Sequence, residues 1–261
     1  MLNLNCFRGV HMRLTFRAFV LTLAAVFALA TPSFAVPFVF NDDIAGGTAF
    51  FDAAVIGNGG TVFTDALSGL DEAPADGLFD GSIDRGVYTI ASTDGAARFV
   101  DLTYLASGES IGINPSAVSP ELSGLTFTFD TPINAFGLEI GDWATCCHPS
   151  ALYIAFGANP AQLVASALSA ADNPGVANGD GFLNFVGAVD DTGTFTTVTF
   201  FGDGFGEYLV AGGTIRWGVV EEGEFDPGAA VPEPGSMLLL GSGLIGAAFV
   251  ARRRKKAEKQ A

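Results

Sequence analysis

Apolar and polar positions alternate through the middle of the chain. Leu125, Phe127 and Phe129 are separated by Thr126, Thr128 and Asp130, and beyond Thr131-Pro132 the positions Phe136, Leu138 and Ile140 are separated by Gly137, Glu139 and Gly141. A period of two marks a strand with one buried face, so these segments predict a hairpin. Shorter runs of strand character occur at Val87–Ile90, Ala97–Leu105, Leu152–Phe156, Phe182–Val186, Thr194–Phe201 and Gly213–Val219, separated by Gly, Asn, Asp and Pro. Only Ala161–Ala171 offers a helical stretch in this region, and its serines and β-branched neighbours argue against a stable one. Many short strands joined by polar turns predict an all-β fold, an antiparallel two-sheet sandwich of jelly-roll-like type. The abundant phenylalanine suits a core filled from two inner faces.

Both ends depart from this pattern. Arg13 and Arg17 precede the apolar stretch Ala18–Ala30, and Ser33-Phe34-Ala35 has the small-x-small spacing of a signal peptidase site. Residues 1–35 therefore read as a signal peptide cleaved after Ala35, with Met12 a candidate true start. Near the other end, residues 236–251 carry no charge and run into Arg252, Arg253, Arg254, Lys255 and Lys256. Counted from Gly235 to Ala251 the apolar stretch is 17 residues, about 25 Å as a helix, and the cationic stems can snorkel to close the gap to a bilayer. This predicts one transmembrane helix, with a basic tail over 252–261 on the cytoplasmic side and the body outside.

The order Val231-Pro232-Glu233-Pro234, apolar span, basic stop closely resembles the PEP-CTERM sorting signal, which exosortases recognise in Gram-negative bacteria that make exopolysaccharide. The resemblance implies a protein exported across the inner membrane, held by its helix, processed by an exosortase and passed to the cell surface or extracellular matrix. Pro232 and Pro234 would keep the motif extended and within reach of the processing enzyme. Two stretches of the body, residues 129–137 and 202–208, are similar to segments of extracellular β-sandwich proteins bearing this tail, some relatives of which bind carbohydrate.

Residues 36–230 form one expected domain of 195 residues. All but two of the 28 acidic residues lie within it, 26 against the three arginines Arg85, Arg98 and Arg216, a net charge of −23. Such a surface repels phosphate backbones, which excludes nucleic acid as a partner and argues against basic anion recognition. It suits an acidic protein soluble in a crowded extracellular layer, which the resemblance implies to be an exopolysaccharide or biofilm matrix.

Candidate chemistry is sparse. A carbohydrate-binding, lectin-like role would need an exposed aromatic platform. Trp143, in a Gly-Asp-Trp loop, and Tyr208 are the candidate ligand-loop residues, although anchoring its loop at the sandwich edge is the commoner role for a tryptophan placed like Trp143. Cys146 and Cys147 are adjacent and, outside the cytoplasm, have three options: a vicinal disulfide, pairing between chains, or free thiols. His148 follows them, but no orienting group or second histidine accompanies it, so neither a catalytic nor a metal role is assigned. Asn173, Asn178 and Asp180, and separately Asp203 and Glu207, sit in glycine-rich loops whose oxygens could suit calcium. Their spacing lacks the closing bidentate glutamate of a calcium loop, and such residues serve more simply as turn formers. A glycoside hydrolase would need two facing carboxylates, and no spacing selects a pair from 26. The expectation is a non-enzymatic protein without a cofactor.

Overall fold

The computed structural model describes residues 37–70, 78–79, 81–95, 98–101, 107–113, 123–203 and 209–228. The expected signal peptide, Tyr208 and the whole segment from Val231 onward, with its expected transmembrane helix, lie outside these residues. Among the described residues no helix is long and apolar enough to cross a membrane.

Among the described residues the body has fourteen strands in two antiparallel sheets and two α-helices, of 14 and 5 residues. In chain order the elements are β1 (Phe38–Asp42), α1 (Ile44–Gly57), β2 (Thr61–Ala66), β3 (Leu78–Phe79), β4 (Ser82–Asp84), β5 (Tyr88–Ser92), β6 (Arg98–Asp101) and β7 (Ser110–Ile113). There follow β8 (Gly124–Ile133), β9 (Ala135–Gly141), β10 (Ser150–Phe156), β11 (Gln162–Ala167), α2 (Pro174–Asn178), β12 (Leu183–Val189), β13 (Phe195–Asp203) and β14 (Leu209–Val219). One sheet has the order β1-β12-β9-β14-β7-β6-β3, with β2 also pairing with β14, and the other the order β11-β10-β13-β8-β5-β4. From β7 to β14 the chain passes repeatedly between sheets, so that β7-β14-β9-β12 faces β8-β13-β10-β11.

The expected alternation is present in β8 and β9, but the two strands do not form a hairpin. β8 pairs with β5 and β13, whereas β9 pairs with β12 and β14 in the other sheet. Their apolar faces meet across the sandwich, with the Phe127 and Phe136 rings 4.8 Å apart. Alternation specifies which face is buried, not the partner strand, and a facing pair satisfies it as well as a hydrogen-bonded one. The crossing is made at Asn134, whose buried side chain accepts from Val220 N (2.8 Å) and donates to Val220 O (3.0 Å).

The main core lies between the sheets, where Ile90, Phe127, Ile154, Phe156, Val198 and Phe200 meet Ile111, Phe136, Leu138, Ile140, Val186 and Ile215. A second core covers the outer face of the β9-containing sheet. There Phe51, Ala54 and Val55 of α1 pack on Phe40, Ala135, Phe185 and Val189. Helix α1 is absent from the sequence-based expectation. Its buried positions Gly47, Phe51, Ala54 and Val55 do have helical spacing, but two of them are small and the wet face carries Phe50 and Ile56, which obscures the stripe. Gly47 is small because a Cβ there would lie 2.9 Å from Phe185. The Asp43 side chain caps the helix by accepting from Gly46 N (2.7 Å). The candidate helix at Ala161–Ala171 is instead β11 followed by a 3₁₀ turn at Ala170–Asp172.

Covered on both faces, β9 is buried at every position. One of these is Glu139, on the outer face. Its carboxylate accepts from Ser107 N (3.1 Å), Ser107 Oγ and Thr214 N (3.3 Å). The chain makes room for it with a bulge in β14, where Gly213 has φ +62° and an added Cβ would stand 2.5 Å from that carboxyl group.

Candidate functional site

The loop between β9 and β10 holds the sequence candidates. Asp142, Ala144 and Cys147 all have positive φ, which folds the loop back on itself and turns Trp143 inward. Trp143 is 0% exposed. Its Nε1 donates to Ser150 Oγ (2.9 Å), and its carbonyl accepts from Asn173 Nδ2 (2.9 Å). An aromatic platform needs an open face, so Trp143 is not one; it anchors the loop. Cys146 and Cys147 are joined as a vicinal disulfide, with Cys146 exposed at the loop tip beside His148. Burial pushes the Asp142 carboxyl above the ordinary carboxylate range, partly offset by a hydrogen bond from Thr145.

The oxygen-rich loops are structural where they are described. Asn173 is buried and caps α2 by accepting from Gly175 N (2.9 Å), while Asn178 donates to Asp43 (2.5 Å). Asp172 accepts from Leu168 N and Ser169 N, both at 2.9 Å, and these bonds hold its carboxyl below the usual range. Among the described residues no three His, Cys, Asp or Glu side chains gather at one point.

At the opposite end of the sandwich lies a feature that the sequence reading did not single out. Between the ends of β8 and β14 a groove of about 350 Å³ opens, lined by Phe63, Val87, Phe129, Asp130, Thr131, Pro132, Ile133 and Trp217 to Val219. Phe63 of β2 lies directly opposite Trp217 of β14, and the two rings stack at 6.0 Å and 23°. Trp217 is half-buried and backed by Tyr88 (5.4 Å) and Phe129 (5.7 Å). Behind the groove, Arg85 makes a bidentate contact to Asp65, with Nε and Nη2 each 2.9 Å from a carboxylate oxygen, and Tyr88 Oη donates to Asp65 at 2.8 Å. Burial raises the Asp65 pKa, but the Arg85 and Tyr88 hydrogen bonds outweigh it and leave a net lowering. Burial, then the bond to Asp65, pushes the Tyr88 phenol far up. None of the groove residues is among the candidate aromatics of the sequence, which were Trp143 and Tyr208. Phe63 and Val87 sit in short or edge segments whose exposure depends on the three-dimensional arrangement.

Architecture and charge thus define an acidic, antiparallel β-sandwich-like protein followed by a processing tail. Residues 230–255 match the PEP-CTERM protein-sorting motif, so the chain carries that signal behind its β body. The motif carries export, membrane anchoring and exosortase processing with it. No curated protein matches the chain.

Proposed function

We propose that this is a non-enzymatic, cofactor-free component of the cell surface or exopolysaccharide matrix, released from its C-terminal membrane helix by an exosortase after signal peptidase has removed residues 1–35. One observation carries the reading: the sorting motif at 230–255 follows a mostly β body with a net charge of −23 over residues 36–230. The strand order of the body supports a jelly-roll-like sandwich. Carboxylates in excess keep such a body soluble and repel anionic partners.

The test is expression of the full chain in a host with its sorting system, with the C-terminus of the mature protein found by intact mass. Loss of the residues beyond Pro232-Glu233-Pro234 in wild type but not in Glu233→Ala, together with recovery of the body from the matrix fraction, is the expected result. An uncut tail in both forms would make this an ordinary single-span membrane protein and overturn the proposal.

A further inference from the structure

We infer that the groove between β8 and β14 binds a neutral, β-linked hexopyranose chain, a statement that rests on the surface or matrix reading and gives it a ligand. Three large apolar side chains stand in water along its walls: Phe63 is 52% exposed, Val87 52% and Val219 42%. A monomer that keeps such side chains together at a concave site marks a place of contact. The volume, about 350 Å³, lies at the low end of the range for small ligands, which suits one or two sugar rings rather than a helix.

The chemistry of the lining selects the class. The Phe63 and Trp217 rings are near-parallel plates, held by strand pairing and backed by Tyr88 and Phe129. An exposed ring of this kind takes a flat C–H face. At the same mouth stand the exposed Asp130 carboxylate and Thr131 hydroxyl, which pair with hydroxyl groups and are poorly matched to a purely apolar chain. A ring with axial C–H bonds on its faces and hydroxyls around its edge meets both demands, and β-linked pyranoses with equatorial hydroxyls have that form.

Charge excludes the anionic sugars. Among the described residues the groove lining contains no Lys, Arg or His, the nearby Arg85 is occupied by Asp65 and Ser68 O, and Arg216 is paired with Asp52 at 2.6 Å. Uronate or sulfate groups would therefore enter a field set by 26 carboxylates without a counter-charge.

Tryptophan fluorescence of the mature chain reports the groove through Trp217, because Trp143 is buried at the other end. The probes are cellohexaose and laminarihexaose, with hexagalacturonate as the anionic comparison and laurate as the apolar one. At least one neutral hexasaccharide should give a saturable change, weakened about fivefold to tenfold in Phe63→Ala. Val87→Arg, which fills the mouth from an exposed loop position, should weaken it as well, and Phe63→Tyr should retain it. Melting temperatures of the variants check that the fold is intact. Failure of both neutral sugars to bind at millimolar concentration, equal binding by folded Phe63→Ala and Val87→Arg, or stronger binding of hexagalacturonate or laurate would overturn the inference. Sugar binding without matrix recovery would refute the matrix reading alone, and matrix recovery without sugar binding would refute the groove alone.

Discussion

Asn134 is the residue at which the chain leaves one sheet for the other, and its replacement by alanine is a demanding test of how the sandwich is closed. The side chain makes two hydrogen bonds to the backbone of Val220, at 2.8 and 3.0 Å, and both residues are almost wholly excluded from water. The Asn134 backbone contributes separately, donating to Gly218 O (3.1 Å) and accepting from Asp190 N (2.8 Å), and these bonds survive the substitution. Asn134→Ala therefore removes one donor and one acceptor and leaves the Val220 N–H and C=O buried without partners. Each orphaned group costs about 1–3 kcal/mol, so the loss should fall at about 2–6 kcal/mol, a large share of the roughly 5–15 kcal/mol available to a typical domain. Urea denaturation of the mature chain is the assay, with a lower midpoint and an unchanged slope expected. A loss below about 1 kcal/mol would mean that water or backbone relaxation satisfies Val220, and the account of Asn134 as a buried fastener would fail.

Three further outcomes follow from the same geometry. Trp143→Ala should cost about 3–5 kcal/mol in a thermal or chemical melt, whereas a tryptophan serving as an open ligand platform would leave stability unchanged. Asp65→Asn should lower stability at neutral pH by about 1–2 kcal/mol. Because the native Asp65 pKa is lowered, its contribution is complete above the unfolded value near 4 and is lost as pH falls through the lower native value. The variant should therefore show a shallower acid limb below about pH 4, and parallel limbs would refute this role. Finally, neither cysteine should alkylate without reductant, and Cys146→Ser/Cys147→Ser should cost less than about 1 kcal/mol, since a ring between neighbours removes little chain entropy. A loss of several kcal/mol would refute that estimate.

How much of this was legible in the sequence depended on how local the cause was. The faces of β8 and β9 were readable because Leu125, Phe127, Phe129, Phe136, Leu138 and Ile140 repeat with period two, and all six are buried. Their partners were not readable, because facing and pairing leave the same one-dimensional trace. Helix α1 was missed because its contact face uses Gly47 and Ala54 where a hydropathy pattern looks for bulk. Trp143 was a reasonable platform from its loop position, but the backbone at Asp142 and Ala144 turns it into the core. The groove was hidden for another reason: Phe63, Val87 and Trp217 are distant in the chain, and only the pairing of β2 with β14 brings two of them together. The sorting motif was legible throughout because its meaning lies in residue order alone.

The last described turn of the chain has a mechanical side. Asn58 holds Asp226 by two hydrogen bonds, both 2.8 Å, Asp191 accepts from Phe225 N at 3.0 Å, and the Phe225 ring rests 5.8 Å from Phe38. Any pull applied to the body from beyond Gly228 meets this clamp first. If the clamp gives way, the load passes into β14, which is flanked by β9 on one side and by β2 and β7 on the other. Tension along that strand would have to shear these ladders together instead of peeling them one bond at a time. Load entering at this end of the described body would thus be shared among three neighbouring strands.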